Sequence, residues 1–156
     1  MPNIDEVDRR ILVELQADAR RPNKSLAESA GVSPSTMLHR VRSLESRKII
    51  KGYHADVDLA SIGRPVEALV FIRLQPKSPE VVRELVTSVW SLEETTEVTL
   101  LTGPYDILVH LCVADVASLS RVVMTSIASA PNVVDEQTSI VFEHRRKQVV
   151  VPLEDD

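Results

Sequence analysis

The stretch Gly31-Val32-Ser33-Pro34-Ser35-Thr36-Met37-Leu38-His39-Arg40-Val41-Arg42-Ser43-Leu44-Glu45 reads as a tight turn followed by a helix. Gly31 breaks whatever helix precedes it, and Val32 is a small apolar residue suited to packing beneath the turn. Ser33 is an N-cap, and Pro34 takes the first helical position, where its missing N–H costs nothing. Met37, Val41 and Leu44, at i, i+4 and i+7, make one buried stripe. The other side carries Ser35, Thr36, His39, Arg40, Arg42 and Ser43, flanked by Ser33, Lys48 and Lys51. A merely solvated face mixes Glu with Lys, but this one holds hydroxyls and cations until Glu45. Hydroxyls near a helix start suit phosphate oxygens or base edges, and Arg reads guanine or neutralises phosphate. The competing reading is a small three-helix bundle with a solvated face and no partner.

Upstream, Ile4, Val7, Ile11, Leu12 and Leu15 recur at spacings of three and four, with Asp5, Glu6 and Asp8 in the first turns, where acids suit the helix dipole. Ala19-Arg20-Arg21-Pro22-Asn23 ends that helix, and Asn23 is expected to cap a short second one, Lys24 to Ala30, with Leu26, Ala27 and Ala30 inward. Three helices with a glycine turn between the last two form a helix-turn-helix.

Charge divides along the same line. Residues 1–52 hold 10 Lys and Arg against 7 Asp and Glu, a net +3; residues 53–156 hold 8 against 16, a net −8. Within 34–51 the ratio is 5 basic to 1 acidic. A chain with net charge −5 can thus concentrate positive charge on one module and meet a polyanion there.

From Ile49 the periodicity changes. Ile49 to Val57 reads as an extended connector or short strand, and Gly63-Arg64-Pro65 marks a boundary. Beyond it the expected order is a strand Val66–Gln75, a helix opened by Ser78-Pro79 and running to Trp90, strands Glu97–Thr102 and Tyr105–Val113 around Gly103-Pro104, a helix from Asp115 to Ala130 ended by Pro131-Asn132, and a strand Val133–Arg145. That βαββαβ order is ferredoxin-like, so the whole chain is α+β. The expected division is 1–52 helix-turn-helix, 53–65 connector, 66–148 ferredoxin-like domain and 149–156 tail. Both helices would cover one sheet face, yet Leu69 and Phe71 alternate with Val70 and Ile72, so the other face is apolar too. A second copy of the sheet would cover it, and the resulting homodimer would present two recognition helices about one DNA turn apart.

The order and spacing of these motifs resemble the Lrp/AsnC family of leucine-responsive, "feast/famine" regulators. The carriers are Asp8-Arg9-Arg10-Ile11-Leu12, Leu26-Ala27-Glu28 leading into Gly31-Val32-Ser33-Pro34-Ser35-Thr36, Arg40-Val41-Arg42-Ser43-Leu44-Glu45, Ile50-Lys51-Gly52-Tyr53 and Thr102-Gly103-Pro104-Tyr105-Asp106. The resemblance covers about residues 4–148. It implies a winged-helix-like helix-turn-helix and a ligand-sensing RAM (ACT-like) domain, dimers that join into tetramers or octamers, and an amino-acid effector. The effector site it implies is Thr102, Gly103, Pro104, Tyr105 and Asp106, with Gln137, Thr138 and Ser139. Gly103 would admit a ligand to exposed backbone, Asp106 would meet an α-ammonium, and the hydroxyls would serve either end of an amino acid. The alternative is that Gly103-Pro104 is a plain hairpin turn with Asp106 bonding its backbone. Two departures stand out: Lys48 replaces the family's usual glycine at the end of the recognition helix, and Pro104 replaces a polar loop residue, stiffening the loop and removing a donor.

Other classes lose ground. His39, His54, His110 and His144 lack metal-ligand spacing, no glycine-rich phosphate loop occurs, and Glu93-Glu94 and Asp135-Glu136 are sequence neighbours facing water. No catalytic, cofactor or metal site is therefore expected. Cys112, flanked by Leu111 and Val113, reads as a small core residue in a reducing cytoplasm, and Trp90 as a core or assembly contact. No run of about 20 apolar residues suggests a membrane span, and the N-terminus is expected to be no secretory signal. Val149 to Leu153 reads as a short strand or interface segment, and Glu154-Asp155-Asp156 as a frayed acidic end. Two functions remain: a ligand-modulated, sequence-specific DNA-binding regulator, and an architectural DNA-binding protein indifferent to small molecules.

Overall fold

The computed structural model describes residues 4–153; Glu154-Asp155-Asp156 lies outside them. The described residues through Asp56, together with those from Arg145 onward, form one compact unit, and Val57–His144 forms another.

The first unit is built on helices α1 (Glu6–Ala17), α2 (Asn23–Ala30) and α3 (Pro34–Ser46). Asp5 is itself the cap of α1, its carboxylate accepting the Asp8 N–H at 2.9 Å. Asn23 does not cap α2. Pro22 holds that position in extended backbone without any side-chain cap, and the Asn23 amide donates instead to the Pro34 carbonyl, tying the start of α2 to that of α3. Gly31 ends α2 at φ +66, a conformation that glycine adopts without steric cost. Ser33 caps α3 by accepting the Thr36 N–H. Met37 and Leu44 are fully buried with Ile11, Leu26 and Ala27, and Val7, Leu12, Leu15, Val32 and Val41 pack around them. After α3 the chain passes through Lys48 at φ +58, and the N–H groups of Ile49 and Ile50 both bond the Leu44 carbonyl. Lysine therefore occupies the left-handed position that glycine fills at no cost. Residues 49–57 form no strand, since no strand of this unit is described against which a ladder could form.

The last described segment belongs to this unit as well. The Gln16 side-chain amide donates to the Val150 carbonyl (3.0 Å) and accepts the Val150 N–H (2.9 Å), while Arg9 donates to the Pro152 carbonyl (2.9 Å). The tail is thus pinned along α1 by its backbone rather than pairing as a strand.

The second unit begins with a short turn of helix, Ala60–Ile62, closed by Gly63 at φ +85. Strands β1 (Val66–Leu74), β2 (Thr95–Leu100), β3 (Ile107–Val113) and β4 (Val133–Ile140) form an antiparallel sheet in the order β2-β3-β1-β4. This is the ferredoxin-like arrangement. α4 (Pro79–Trp90) is capped by Ser78, and α5 (Val116–Val122) by Asp115. α5 does not remain α-helical to Ala130: Val123–Ile127 widens into a π-type turn that keeps Val123 and Ile127 in the core. Alternation on β1 and β3 is clean. Ala68, Val70, Ile72, Ile107, Val109 and Leu111 are fully buried with Leu85 and Val89 of α4 and Leu119 and Val122 of α5. Leu69 and Phe71 alternate with them on the open face. β4 stops at Ile140 rather than Arg145, because its register partner there is Ala68, close to the start of β1. β2 and β3 likewise leave Leu101–Asp106 as a true loop. Cys112 is buried, as expected, but Trp90 is 62% exposed at the end of α4, which removes the core reading for it.

Candidate DNA interface and effector loop

Ser33-Pro34 sets the start of α3, and the Met37/Val41/Leu44 stripe sets its rotation, so the outward residues follow from the inward ones. Ser35, Thr36, His39 and Arg42 are exposed and Ser43 is half-buried. Ser35, Thr36, His39, Arg40 and Ser43 line, with Asp8 of α1, an open groove of about 590 Å³. The Ser33 hydroxyl, engaged as the cap, lies 3.0 Å from Ser35 Oγ and 2.8 Å from Thr36 Oγ1, giving a cluster of three hydroxyls at the helix start. Backbone N–H groups and the helix dipole favour an anion at such an end. Lys48 and Lys51 are exposed beyond the other end of α3.

Arg40 departs from the outward reading. Its Nη1 donates to Asp5 Oδ2 at 2.5 Å and Asp8 Oδ1 at 2.9 Å, and its side chain is only 30% exposed. The Asp8 N–H cap, followed by Arg40, holds the Asp5 carboxyl below the usual carboxylate range against a smaller opposing effect of burial. Asp5 and Asp8 read in sequence only as dipole-complementing acids. Their partner lies 35 and 32 residues away, and nothing local announces it.

In the second unit the loop after β2 is held at both ends. The Leu101 N–H donates to the Asp106 carbonyl and the Asp106 N–H to the Ile72 carbonyl, both at 2.8 Å. Gly103 stands at φ +124 with open space where a Cβ would be, so its backbone is approachable. Tyr105 packs on Phe71 with ring centroids 5.5 Å apart and donates from its hydroxyl to Gln137 Oε1 at 2.9 Å. Thr102, Gly103 and Pro104 are exposed at the loop tip. Gln137 and Ser139 pair with Phe71 and Leu69 on the open sheet face. Thr138 points the other way, paired with Val70 and donating to Glu136, so the fold does not bring it to Tyr105.

Both oxygens of Asp106 already have partners within the chain. One oxygen accepts the Leu74 N–H at 2.8 Å, and the other meets Lys77 Nζ at 2.8 Å. Burial pushes its carboxyl upward, but the Leu74 N–H and the Lys77 ammonium outweigh that and hold it low. Lys77 has no motif in the sequence; a signal existed only in its place just after β1, the strand that the loop bonds.

No group of three His, Cys, Asp or Glu side chains suited to a metal occurs among the described residues. No helix there is long and apolar enough to cross a membrane. Burial pushes the Cys112 thiol up, away from the thiolate a nucleophile needs.

Comparison with known proteins places both units. Residues 4–45 match the AsnC-type helix-turn-helix domain, and residues 67–150 match the Lrp/AsnC ligand binding domain. The chain is 35% identical over 143 residues to the HTH-type transcriptional regulator AldR of Mycobacterium tuberculosis, covering 92% of this chain and 80% of that one. It is 34% identical over 141 residues to the leucine-responsive regulatory protein of Escherichia coli K12, covering 90% and 86%. Among solved structures, a transcriptional regulator of Neisseria meningitidis in complex with L-Met superposes with a TM-score of 0.87 at 27% identity, covering 96% of this chain and 97% of that one. Escherichia coli AsnC superposes with a TM-score of 0.86 at 30% identity, covering 96% and 99%. With both modules matched in order and relatives aligned over nine-tenths of its length, the chain belongs to the Lrp/AsnC family of transcriptional regulators.

Proposed function

We propose that this regulator binds duplex DNA through α3 as a homodimer or larger even assembly in the cytoplasm, and that an amino acid at the loop 102–106 modulates its binding. The single observation that supports this most is the outward face of α3: hydroxyls of Ser33, Ser35, Thr36 and Ser43, His39, and Arg42, around a groove open to solvent. Lys48 and Lys51 add phosphate contacts. The two-fold site needs a second copy, and the open sheet face with Leu69 and Phe71 is the surface that copy covers. This function calls for neither catalysis nor a cofactor: Asp5 and Asp115 are engaged as helix caps, Asp8 and Asp106 in ion pairs, and the one thiol is buried.

For the effector, the loop supplies the exposed Gly103 backbone, Thr102, Pro104, Tyr105 bonded to Gln137, and Ser139 on the same sheet face. Asp106 supports the site by fixing Lys77 and β1, and Lys77, half-exposed, is the charge available to a ligand carboxylate. An amino acid would thus be held by its carboxylate at Lys77 and by backbone acceptors at its ammonium. The Neisseria relative solved with L-Met is the parallel for such a ligand.

The test is fluorescence anisotropy on duplexes tiled from the regulator's own promoter region, with and without each amino acid at millimolar concentration. A shift in apparent Kd of 5–150-fold, the usual span of a coupling of about 1–3 kcal/mol, supports modulation. Full DNA affinity with no response to any amino acid would favour an architectural protein instead, a reading to which the prior neutralisation of Asp106 by Lys77 lends weight.

A further inference from the structure

We propose that Asp5 and Asp8 withhold Arg40 from the DNA phosphates, making Arg40 a positioning residue that locks α3 to the start of α1 rather than one of the regulator's DNA contacts; this rests on the DNA-binding reading above. Arg40 stands on the recognition helix, between His39 and Arg42, where every cation would be expected to meet phosphate. Its Nη1 instead serves two carboxylates at once, at 2.5 and 2.9 Å. Asp8 is almost fully buried, and Asp5 is fixed as the cap of α1, so both acids are held in place by contacts of their own. Two acids facing one guanidinium leave this corner of the groove with a net negative charge. A phosphate drawn to the rest of the guanidinium would sit against both carboxylates.

The arrangement separates two tasks on one helix. Phosphate neutralisation, which is independent of sequence, falls to Arg42, Lys48 and Lys51. The groove beside the Arg40 triad, lined by Ser35, Thr36, His39 and Ser43, is left to neutral donors and acceptors, which discriminate between base edges. Holding one cation back weakens the sequence-independent part of binding and leaves base readout to the groove.

The test is a double-mutant cycle read by the salt dependence of binding to random-sequence duplex. Each phosphate neutralised adds about 0.9 to the slope of log K against log salt. The four proteins are the full chain, Arg40→Gln, Asp5→Asn with Asp8→Asn, and all three changes together. Asn keeps the cap and the shape of each acid, so α1 is retained, and circular dichroism checks the fold of each. The slope is expected to be the same for the full chain and for Arg40→Gln. It is expected to steepen in the double Asn variant and to fall back by about 0.9 when Arg40→Gln is added to it. An equal loss of slope on removing Arg40 from both backgrounds would show that Arg40 contacts phosphate despite its acids, and would overturn the proposal. No loss in either background would place Arg40 beyond reach of the duplex and overturn it too. Absence of binding by all four folded proteins at low salt would instead remove the DNA-binding reading on which it rests.

Discussion

Lys48 shows how a single residue can oppose its own backbone. It holds φ +58 just after α3, where a side chain bearing Cβ is strained and glycine is not. Lys48→Gly is expected to raise stability by about 1 kcal/mol in urea denaturation, while lowering the salt slope of DNA binding by about 0.9. A loss of stability of that size would mean the lysine side chain makes contacts that outweigh its strain. Asp106 works in the opposite sense, relieving the strand end it touches. Its folded state holds the carboxyl below the ordinary value of about 3.9, through the Leu74 N–H and Lys77 acting against burial. The stabilisation is therefore complete above that value and disappears as pH falls through the lower, folded one. Asp106→Asn should cost about 2 kcal/mol near pH 7, by the usual worth of a charged hydrogen bond, and progressively less as pH falls toward about 2. Urea midpoints across that range check it, and a gap that widens on acidification would reverse the assigned sign.

Elements were legible where a local rule and a long-range need agreed. Ser33-Pro34 and Ser78-Pro79 carry their own caps, and α3 and α4 begin where those residues say. Gly31 and Gly63 end what precedes them for the same local reason. Asn23 misled because a good capping residue lay beside Pro22, and the amide found a better acceptor on Pro34, 11 residues on. β4 ends before Arg145 because its pairing with β1 closes at Ile140 opposite Ala68, with one further bond from the Val141 N–H to the Glu67 carbonyl. Of the candidate site, the α3 face was readable from the helix phase, whereas the Arg40 and Lys77 ion pairs were not, since they join residues 29 to 35 positions apart. The tail was the least legible element, because its anchors on α1, Gln16 and Arg9, lie 134 and 143 positions away along the chain. Gln16→Ala removes both bonds to Val150, and limited proteolysis should then cut the segment from Arg145 onward several-fold faster while the sheet stays protected. Unchanged cleavage would show that Arg9 and the remaining contacts of the tail suffice without it.

At the scale of the whole molecule, two cores built from separate stretches of chain give the regulator a basic reader and an acidic sensor, each able to satisfy its own buried groups. Among the described residues no buried side-chain polar atom lacks a hydrogen-bond partner, so what remains unfinished is apolar: the sheet face with Leu69 and Phe71. Replacing Phe71 by Asp puts a charge at the centre of that face and is expected to leave a monomer in sedimentation velocity at micromolar concentration; an unaltered dimer would move the interface elsewhere. DNA binding by this regulator depends above all on α3 meeting the duplex with its outward side. The salt dependence of binding by the Arg42→Ala variant, on duplex from the regulator's own promoter, measures this directly. The expected result is weaker binding with a slope shallower by about 0.9 than that of the unaltered chain. An unchanged affinity and slope would contradict the placement of this face against the phosphate backbone.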